Sequence, residues 1–364
     1  MTRKLASVQR IVNIEPIPDA DAIEKATVLG WEVVIAKKDN LHIGDLVVYF
    51  EVDSLLPDKP EFEFMRDRKF RVKTIRLRKQ ISQGLVFSLS ILPNKKWNEG
   101  DDVTEIIGVK KYDPEGDLER RLFEEKQQRE KNKLKKFLMK YTWYRTLFNF
   151  FNPKKDKGWP KFIKKTDEDR IQLFPHICEN EKDTTFTVTE KIDGQSGTYF
   201  LVKKKNLFGK KYIFGVCSRN VYLKTPDNSS YWTIARKYNI ENVLKNLVGN
   251  NDYIVLQGEI VGTNIQGNKY GVKEHDFYAF NLIASEVKVG TTAKRYLLDQ
   301  HGIKCVPLLD TNFRLKPTIA EMVDFSNGKS VLADTLREGI VVRNYEKNIS
   351  FKVVSPEFLL KHGE

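Results

Sequence analysis

The chain has 364 residues, of which 40% are hydrophobic and 30% charged, and this composition excludes a disordered, collagen-like or coiled-coil protein. Single hydrophobic cores rarely grow past ~250–300 residues, so two domains of ordinary size are expected. The 62 lysines and arginines exceed the 49 aspartates and glutamates by 13, and an excess of that size attracts polyanions, which makes nucleic acid the leading class of partner.

Targeting and redox signals are absent from the sequence. No apolar stretch approaches the ~20 residues that cross a bilayer, and the basic start runs into strand-like alternation instead of a signal-peptide core. Cys178, Cys217 and Cys305 are widely separated, which indicates neither a disulfide framework nor a thiolate metal site. We therefore predict a cytoplasmic protein without a membrane span.

Residues 1–108 alternate between apolar and polar positions in short runs separated by turn signals, as in small all-β barrels. Strands are predicted at 31–36 and 46–52, and a further strand pair is predicted around 70–77 and 84–89. We interpret this segment as an OB-like β-barrel domain. Its residues 66–79 contain eight lysines and arginines, which fits either a face that follows nucleic-acid phosphates or a solvated strand edge blunted by charge.

Residues 109–165 are predicted to form a basic helical connector. Between 117 and 165 there are 16 basic and 6 acidic residues, and leucines and aromatics recur at helical spacing. The connector could grip a duplex, or it could be a linker with solvated charges, and charge runs usually belong to the second class. Residues 166–364 combine strands with helical stretches at 231–247 and 291–301, which predicts an α+β domain with antiparallel sheets.

Four strands of this last segment each carry a charge that does not fit a buried strand. Lys191 ends the strand that begins at Thr185, with Asp193 two residues beyond, and Glu259, Glu338 and Lys352 lie in or beside apolar strands. Burying an unpaired charge is costly, so each residue needs a partner or a ligand. Any one of them could be a satisfied salt bridge, but four in this order favour a common purpose.

The motifs that hold these charges resemble those of the covalent nucleotidyltransferases, which comprise polynucleotide ligases and mRNA capping enzymes. The matching segments are Lys191-Ile-Asp-Gly194, Gln257-Gly258-Glu259, Phe277-Tyr278-Ala279-Phe280-Asn281, Arg337-Glu338-Gly339 and Phe351-Lys352-Val353. The resemblance implies that residues 166–364 form the ATP-grasp-like adenylylation domain of ligases. Only twelve residues follow Lys352, too few for the C-terminal OB domain of DNA ligases and capping enzymes. With a barrel placed N-terminally and Ile81-Ser-Gln-Gly-Leu85 inside it, the chain is similar to the Naegleria-type, or fifth-family, ATP-dependent RNA ligases.

This resemblance implies a reaction and a set of roles. An RNA ligase of this type joins a 3′-hydroxyl to a 5′-phosphate through lysyl-AMP and RNA-adenylate intermediates, using ATP and Mg²⁺ or Mn²⁺. Its expected site consists of the nucleophile Lys191, the metal ligands Asp193, Glu259 and Glu338, the phosphate-binding Lys352 and Arg170, the adenine-stacking Phe280, Glu190 beside the base, and Arg219 near the ribose or the RNA phosphate. The expected partner is RNA, as a nicked duplex or paired ends, and the enzyme is expected to be a monomer.

Three positions depart from the family pattern. Asn281 stands where many relatives have Asp, Ser196 where DNA ligases have Arg, and Ser350 precedes Phe351-Lys352 in place of a second lysine. The phosphate clamp is therefore expected either to have fewer cations or to be completed by Arg343 or another cation. Two alternative functions follow from the same residues. One is a DNA ligase or a capping-type guanylyltransferase that lacks its C-terminal barrel, and the other is a non-catalytic relative that only binds nucleic acid.

Overall fold

A computed structural model describes residues 3–112, 159–206, 209–223 and 226–363. Most of the predicted basic connector, residues 113–158, lies outside the described residues. Contacts divide the described chain into two compact units: residues 3–112, 167–193 and 306–363 form unit 1, and residues 159–166 and 194–305 form unit 2. Unit 1 thus combines the N-terminal segment with the last part of the chain.

The N-terminal part of unit 1 contains nine strands and one short α-helix, together with three 3₁₀ helices (Lys37–Asp39, Pro60–Arg68 and Leu89–Ile91). The strands and the α-helix are β1 (Ala6–Pro16), β2 (Ile23–Val28), β3 (Trp31–Ala36), β4 (Leu46–Phe50), β5 (Ser54–Leu55), β6 (Thr74–Leu77), β7 (Gln80–Gln83), β8 (Leu85–Ser88), α1 (Thr104–Ile107) and β9 (Lys110–Lys111). An antiparallel five-stranded sheet has the order β3-β2-β1-β4-β8. Two apolar clusters pack against this sheet: one contains Trp31 of β3, and the other contains Phe50 of β4 together with Phe62 of the 3₁₀ helix Pro60–Arg68. All three side chains are fully or almost fully buried.

The predicted strand pair at 70–77 and 84–89 is arranged differently in the structure. β6 pairs with β7 in a separate two-stranded hairpin, whereas β8 pairs with β4 in the main sheet. The two residues that join β6 to β7, Arg78 and Lys79, have positive φ angles of 45° and 67°. A two-residue turn of this left-handed kind matches the twist of a hairpin, and it places two cations at an exposed tip.

The remaining strands and helices follow in both units. They are α2 (Ile177–Asn180), β10 (Thr185–Lys191), β11 (Gln195–Asn206), β12 (Gly209–Cys217), β13 (Tyr222–Leu223), α3 (Ser230–Lys237), α4 (Ile240–Leu247), β14 (Tyr253–Val261), β15 (Asp276–Ala284), β16 (Val287–Lys288), α5 (Thr291–Asp299), β17 (Leu308–Arg314), α6 (Ile319–Ser326), β18 (Gly339–Asn344), β19 (Ile349–Val354) and α7 (Pro356–His362). The predicted helix at 231–247 is thus two helices, because Asn239 has a left-handed φ of 46°.

A second sheet of unit 1 contains β10 in its interior. Its order is β17-β10-β18-β19, and all its pairs are antiparallel. Thr189 on β10 lies opposite Val341, which lies opposite Lys352 on β19. Directly opposed residues share a face of a sheet, as do residues two apart on one strand. Lys191 and Lys352 therefore project from the same face.

Unit 2 is organised around an antiparallel six-stranded sheet with the order β13-β12-β11-β14-β15-β16. Helices α3, α4 and α5 contribute Ile234, Leu244 and Leu298 to a core shared with β11, β14 and β15. The predicted antiparallel α+β architecture is therefore present in the structure. Among the described residues, no helix combines the length and apolar character that crossing a membrane requires.

Candidate functional site

Lys191 and Glu338 form the central ion pair of the candidate site in unit 1. Lys191 ends β10, and its Nζ donates a hydrogen bond to Glu338 Oε2 at 2.5 Å. The side chains are 25% and 12% exposed, so both retain access to solvent. Lys191 lies opposite Gly339, the residue after Glu338, and this register brings together two residues that are 147 positions apart.

The backbone around Glu338 is tightly fixed. Gly339 has a φ of +152°, and a Cβ atom there would lie 2.2 Å from the carbonyl oxygen of Val353. Only glycine tolerates such a close approach in this conformation. On the other side, the Arg337 guanidinium donates to three backbone carbonyls, those of Phe325, Ser326 and Asn327, at the end of α6. Glu338 is held between these two anchored neighbours.

Lys352 lies beside the ion pair in a region of positive charge. Burial, together with the charges of Arg170 and Lys191, lowers the pKa of Lys352 to about 7. Arg3 acts in the same direction, and Asp167 opposes it. With three cations and one carboxylate acting on the ammonium group, this part of the sheet face is suited to bind an anion such as a phosphate.

Arg170 is a neighbour of Lys352 through the backbone and has unused donors. The two residues form an isolated parallel bridge, and the Lys352 amide donates to the Asp169 carbonyl at 2.8 Å. The Arg170 side chain is only 8% exposed. Its Nε and Nη1 atoms have no hydrogen-bond partner among the described residues. Buried guanidinium donors are costly to leave unpaired, which indicates that Arg170 is built to receive an anionic ligand.

Residues of the barrel surround the other side of Arg170. Asp53 Oδ2 lies 3.5 Å from Arg170 Nη2, and Asp53 Oδ1 accepts a hydrogen bond from Arg71 at 2.8 Å. Glu51 pairs with Arg3 at 2.5 Å. Sequence reasoning missed these acids, although Glu51 directly follows the apolar strand β4, Asp53 comes two residues later, and both are charges of the same unexpected kind as Glu259.

Glu190 is buried, and its side chain serves a structural purpose. Its carboxylate accepts hydrogen bonds from Ser330 Oγ at 2.5 Å and from the Val331 amide at 2.8 Å. Since Glu190 points to the opposite face of β10 from Lys191, this anchor fixes the loop that leads to Glu338 without occupying the nucleophile's face. The expected place of Glu190 beside the base stays a prediction.

The predicted metal ligands are distributed over both units. Glu338 and Asp193 belong to unit 1, with Asp193 just beyond the end of β10, and Glu259 belongs to unit 2. Glu259 is half-buried between Ser196 on β11 and Tyr278 on β15. A Cβ atom at Gly194 would lie 2.9 Å from Glu259 Cγ, so the glycine allows close approach to this side chain. In the described part of the chain, no group of three or more His, Cys, Asp or Glu residues is arranged to bind a metal.

Phe280 occupies a special position in the sheet of unit 2. Gln257 pairs with Asn281 and Gly258 pairs with Ala279, which leaves Phe280 as the extra residue of a β-bulge in β15. Bulges redirect side chains and are frequent beside binding sites. The Phe280 carbonyl also accepts a hydrogen bond from the buried Lys294 at 2.6 Å. Sequence reasoning selected Phe280 but gave no sign of the bulge.

Asn281, one of the departures from the family pattern, belongs to a buried amide network. Its Nδ2 donates to Gln257 Oε1 at 2.9 Å, and Gln257 Nε2 donates to the Lys164 carbonyl at 3.1 Å. The uncharged Asn281 amide therefore finds a hydrogen-bond acceptor in Gln257. Ser196, a second departure, contacts Thr166 through their hydroxyl oxygens at 3.0 Å.

Arg219 and Arg343 are also placed by the structure. Arg219 lies in the loop between β12 and β13, where the Ser218 hydroxyl accepts hydrogen bonds from the amides of Asn220 and Val221. Arg343 is buried, donates to Glu168 at 2.8 Å and donates to Ser350 at 3.2 Å. Ser350 therefore orients Arg343 toward an acid.

The arrangement in unit 1 can carry out group transfer from a phosphate. It provides the Lys191 amine next to the Glu338 carboxylate. It also provides the buried Arg170 guanidinium next to Lys352, whose pKa of about 7 allows it to gain or lose a proton near neutral pH. A nucleophilic amine with cations placed for phosphate oxygens is the combination that phosphoryl or nucleotidyl transfer to lysine requires.

Comparisons with known proteins agree with this geometry. A family model of an OB-fold domain matches residues 5–89, and a family model of RNA ligases matches residues 184–354. Together with the observed sheets, these matches confirm the predicted N-terminal OB-like domain and the antiparallel C-terminal domain. A search of curated protein sequences gave no significant match.

Solved structures of an RNA ligase from Naegleria gruberi resemble the whole chain. A substituted variant with ATP and Mn is 31% identical, with a TM-score of 0.79 and complete coverage of both chains. The same ligase with PPi is 31% identical, with a TM-score of 0.78 over 100% of this chain and 99% of that chain. Another variant, with AMP and Mn, has the same identity and TM-score over 99% of each chain.

Proposed function

Because this chain belongs to the family of Naegleria-type ATP-dependent RNA ligases, we propose that it joins RNA 3′-hydroxyl and 5′-phosphate ends through a lysyl-AMP and an RNA-adenylate intermediate. The observation that carries this mechanism is the pairing of Lys191 with Glu338 on the sheet face that also holds Lys352. The relatives are RNA ligases, and their solved complexes contain ATP, AMP, PPi and Mn.

In the first step, the Lys191 amine attacks the α-phosphorus of ATP. A phosphorus–nitrogen bond forms, the bond from the α-phosphorus to the bridging oxygen breaks, and pyrophosphate leaves. An ammonium group is not a nucleophile, so Lys191 must first release a proton. Glu338 Oε2, at 2.5 Å from Nζ, is placed to accept it.

The phosphates of ATP are held by the cations beside Lys191. Lys352 contacts the α-phosphate, and its amine becomes protonated when the negatively charged phosphates of ATP bind beside it. Arg170 supplies Nε and Nη1, the two donors that have no protein partner among the described residues, to a phosphate oxygen. These contacts are strongest for the charge that develops during transfer, which is how they lower the barrier.

A divalent cation, Mg²⁺ or Mn²⁺, prefers oxygen ligands such as the carboxylates of the motif residues. Asp193, Glu259 and Glu338 would hold it, partly through waters, since Mg²⁺ commonly combines one or two carboxylates with substrate phosphates. When bound, the ion neutralises phosphate charge and orients the leaving group. We assign adenine stacking to Phe280, a position near the base to Glu190, and contact with the ribose or the RNA terminal phosphate to Arg219.

The reaction is tested by incubating the protein with Mg²⁺ and α-labelled ATP and separating the products on a denaturing gel. We expect a labelled protein that loses its label to a 5′-phosphorylated RNA nick. Label obtained only with GTP would instead indicate capping chemistry, and discharge only to DNA would indicate a DNA ligase. Absence of label with either nucleotide would leave a nucleic-acid-binding protein.

We further propose that the barrel binds RNA through its basic hairpin. Five exposed cations have no ion-pair partner among the described residues: Arg76, Arg78 and Lys79 in the β6–β7 hairpin, and Arg68 and Lys69 in the segment that precedes it. Phe64, 61% exposed, lines a cavity of about 240 Å³ together with Arg68 and Leu77. Cations that follow phosphates next to an aromatic ring are typical of surfaces that bind nucleic-acid strands. The substrate is a nicked duplex or paired ends, and the enzyme acts as a monomer in the cytoplasm.

Charge reversal at the hairpin tip tests this surface. The double variant R78E/K79E is expected to weaken RNA binding about tenfold at ~0.1 M salt. It should also reduce the slope of log affinity against log salt concentration by up to about 2, because each lost phosphate contact lowers this slope by ~0.7–0.9. The matched control is K37E/K38E, an equal charge change at exposed lysines elsewhere on the barrel. Equal losses in both variants, measured by fluorescence anisotropy, would contradict a specific role for the hairpin.

A further inference from the structure

We propose that Asp53, a residue of the N-terminal barrel, positions the Arg170 guanidinium for the phosphates of ATP. The inference rests on the proposed function, since it assumes that Arg170 receives a phosphate. Asp53 Oδ2 lies 3.5 Å from Arg170 Nη2, and Asp53 is the carboxylate with which the structure pairs this arginine. Nothing in the mechanism above requires Asp53 to contact substrate, so it acts through Arg170.

The Asp53 carboxylate is itself rigidly held. Its backbone amide donates to the Val72 carbonyl at 2.8 Å, and its carbonyl accepts from the Tyr112 amide at 2.8 Å. Its other carboxylate oxygen accepts a hydrogen bond from Arg71, whose guanidinium carbon lies 3.9 Å from the centre of the Tyr112 ring. One oxygen of Asp53 is thus fixed by the barrel, which leaves the second oxygen in a defined place for Arg170.

Further contacts within unit 1 hold the Arg170 segment against the barrel. The Gly30 amide donates to the Gln172 carbonyl at 3.0 Å, and a Cβ atom at Gly30 would lie 2.9 Å from Gln172 Cα. The guanidinium carbon of Arg170 is 5.4 Å from the centre of the buried Trp31 ring. Gly30 therefore holds the backbone of the Arg170 segment in place. Trp31 packs against the Arg170 guanidinium, and Asp53 orients it.

Charge explains why this arrangement needs an acid. Arg170 is buried beside Lys352 and interacts with Arg3, so without a carboxylate its guanidinium would be repelled from this place. Asp53 pairs at Nη2 and leaves Nε and Nη1 available. A phosphate-binding arginine that is oriented in advance loses less conformational freedom when ligand binds, which strengthens binding.

The test is a double-mutant cycle that combines Asp53→Asn with Arg170→Ala. Asparagine keeps the shape of Asp53 and tolerates its left-handed φ of 71°. We expect Asp53→Asn to raise the KM for ATP in lysyl-AMP formation about tenfold while kcat changes less than about threefold. In the Arg170→Ala background the same substitution should change KM less than about twofold. Asp58→Asn, which alters an exposed partner of Arg66, is the matched control and should leave KM unchanged.

The cycle separates a positioning role from a structural one. If Asp53 only stabilised the barrel, its substitution would have the same effect with and without Arg170, and that additive result would overturn the proposal. Should Asp53→Asn fail to fold in thermal unfolding, Asp53→Glu replaces it in the same cycle. If the wild-type protein forms no lysyl-AMP, the proposed function fails, and the cycle is then measured on dissociation constants for inorganic tripolyphosphate, where additivity again overturns the role of Asp53.

Discussion

Replacement of Lys191 by alanine is expected to lower formation of the AMP adduct by at least about 1,000-fold, because the substitution removes the atom that forms the bond to phosphorus. The rate is measured from the appearance of labelled protein under single-turnover conditions. Lys182→Ala, an exposed lysine in the same unit, is the matched control and should label at the wild-type rate.

The same variant distinguishes loss of the nucleophile from loss of the fold. Sealing of RNA that already carries a 5′-adenylate needs no lysyl-AMP, so Lys191→Ala should retain measurable sealing of this substrate without ATP. An adduct that persists in the variant would contradict the assignment, and peptide mapping of the labelled residue would identify the true nucleophile. Loss of both activities with normal thermal unfolding would mean that Lys191 also serves the final step.

The second large effect concerns the protonation of Lys352. Its pKa of about 7 means that it is mostly neutral at pH 8 in the nucleotide-free protein. Negative phosphates favour the charged form of an amine, so nucleotide binding should raise this pKa and draw a proton from solution. At pH 8 we expect uptake of roughly 0.9 proton for each nucleotide bound, falling toward zero as the pH is lowered well below 7.

Calorimetry measures this uptake from the dependence of the binding enthalpy on the ionisation enthalpy of the buffer. An ATP analogue with a methylene group between the α- and β-phosphorus keeps the reaction from proceeding. Lys352→Met should abolish the uptake and slow lysyl-AMP formation by about 100- to 1,000-fold, since it removes a charge aimed at the reacting phosphate. Equal proton uptake by the wild-type and variant proteins would show that another group titrates.

The parts of the fold that the sequence predicts are those with strong local patterns. Strand β3 and the start of β10 lie where alternation placed them, because a strand with one buried face must alternate. Lys191, Glu259 and Lys352 were found by the same logic, since a charge within an apolar strand is costly without a partner. The pairing of Glu338 with Lys191 follows from the register of β10 and β18, in which Lys191 lies opposite Gly339.

Other features could not be predicted from the sequence, either because they depend on contacts between distant residues or because they are local events that do not change the hydrophobic pattern. The pairing of Asp53 with Arg170 joins positions 117 apart and arises only when the barrel packs on the segment after 167. The bulge at Phe280 and the break at Asn239 are single-residue events that leave the hydrophobic pattern intact. Likewise, Arg78 and Lys79 both adopt left-handed backbone conformations, which arginine and lysine rarely do, so their residue types do not predict this turn.

The position of β10 within its sheet has a consequence for the synthesis of the protein. Both neighbours of this strand, β17 and β18, come from residues 308–344, and β19 with Lys352 follows them. During translation, the nucleophile strand therefore emerges more than a hundred residues before either of its partners. A nascent or prematurely terminated chain would contain Lys191 without the carboxylate and cations that activate it, so such products should be inert toward ATP instead of becoming trapped as adenylylated fragments.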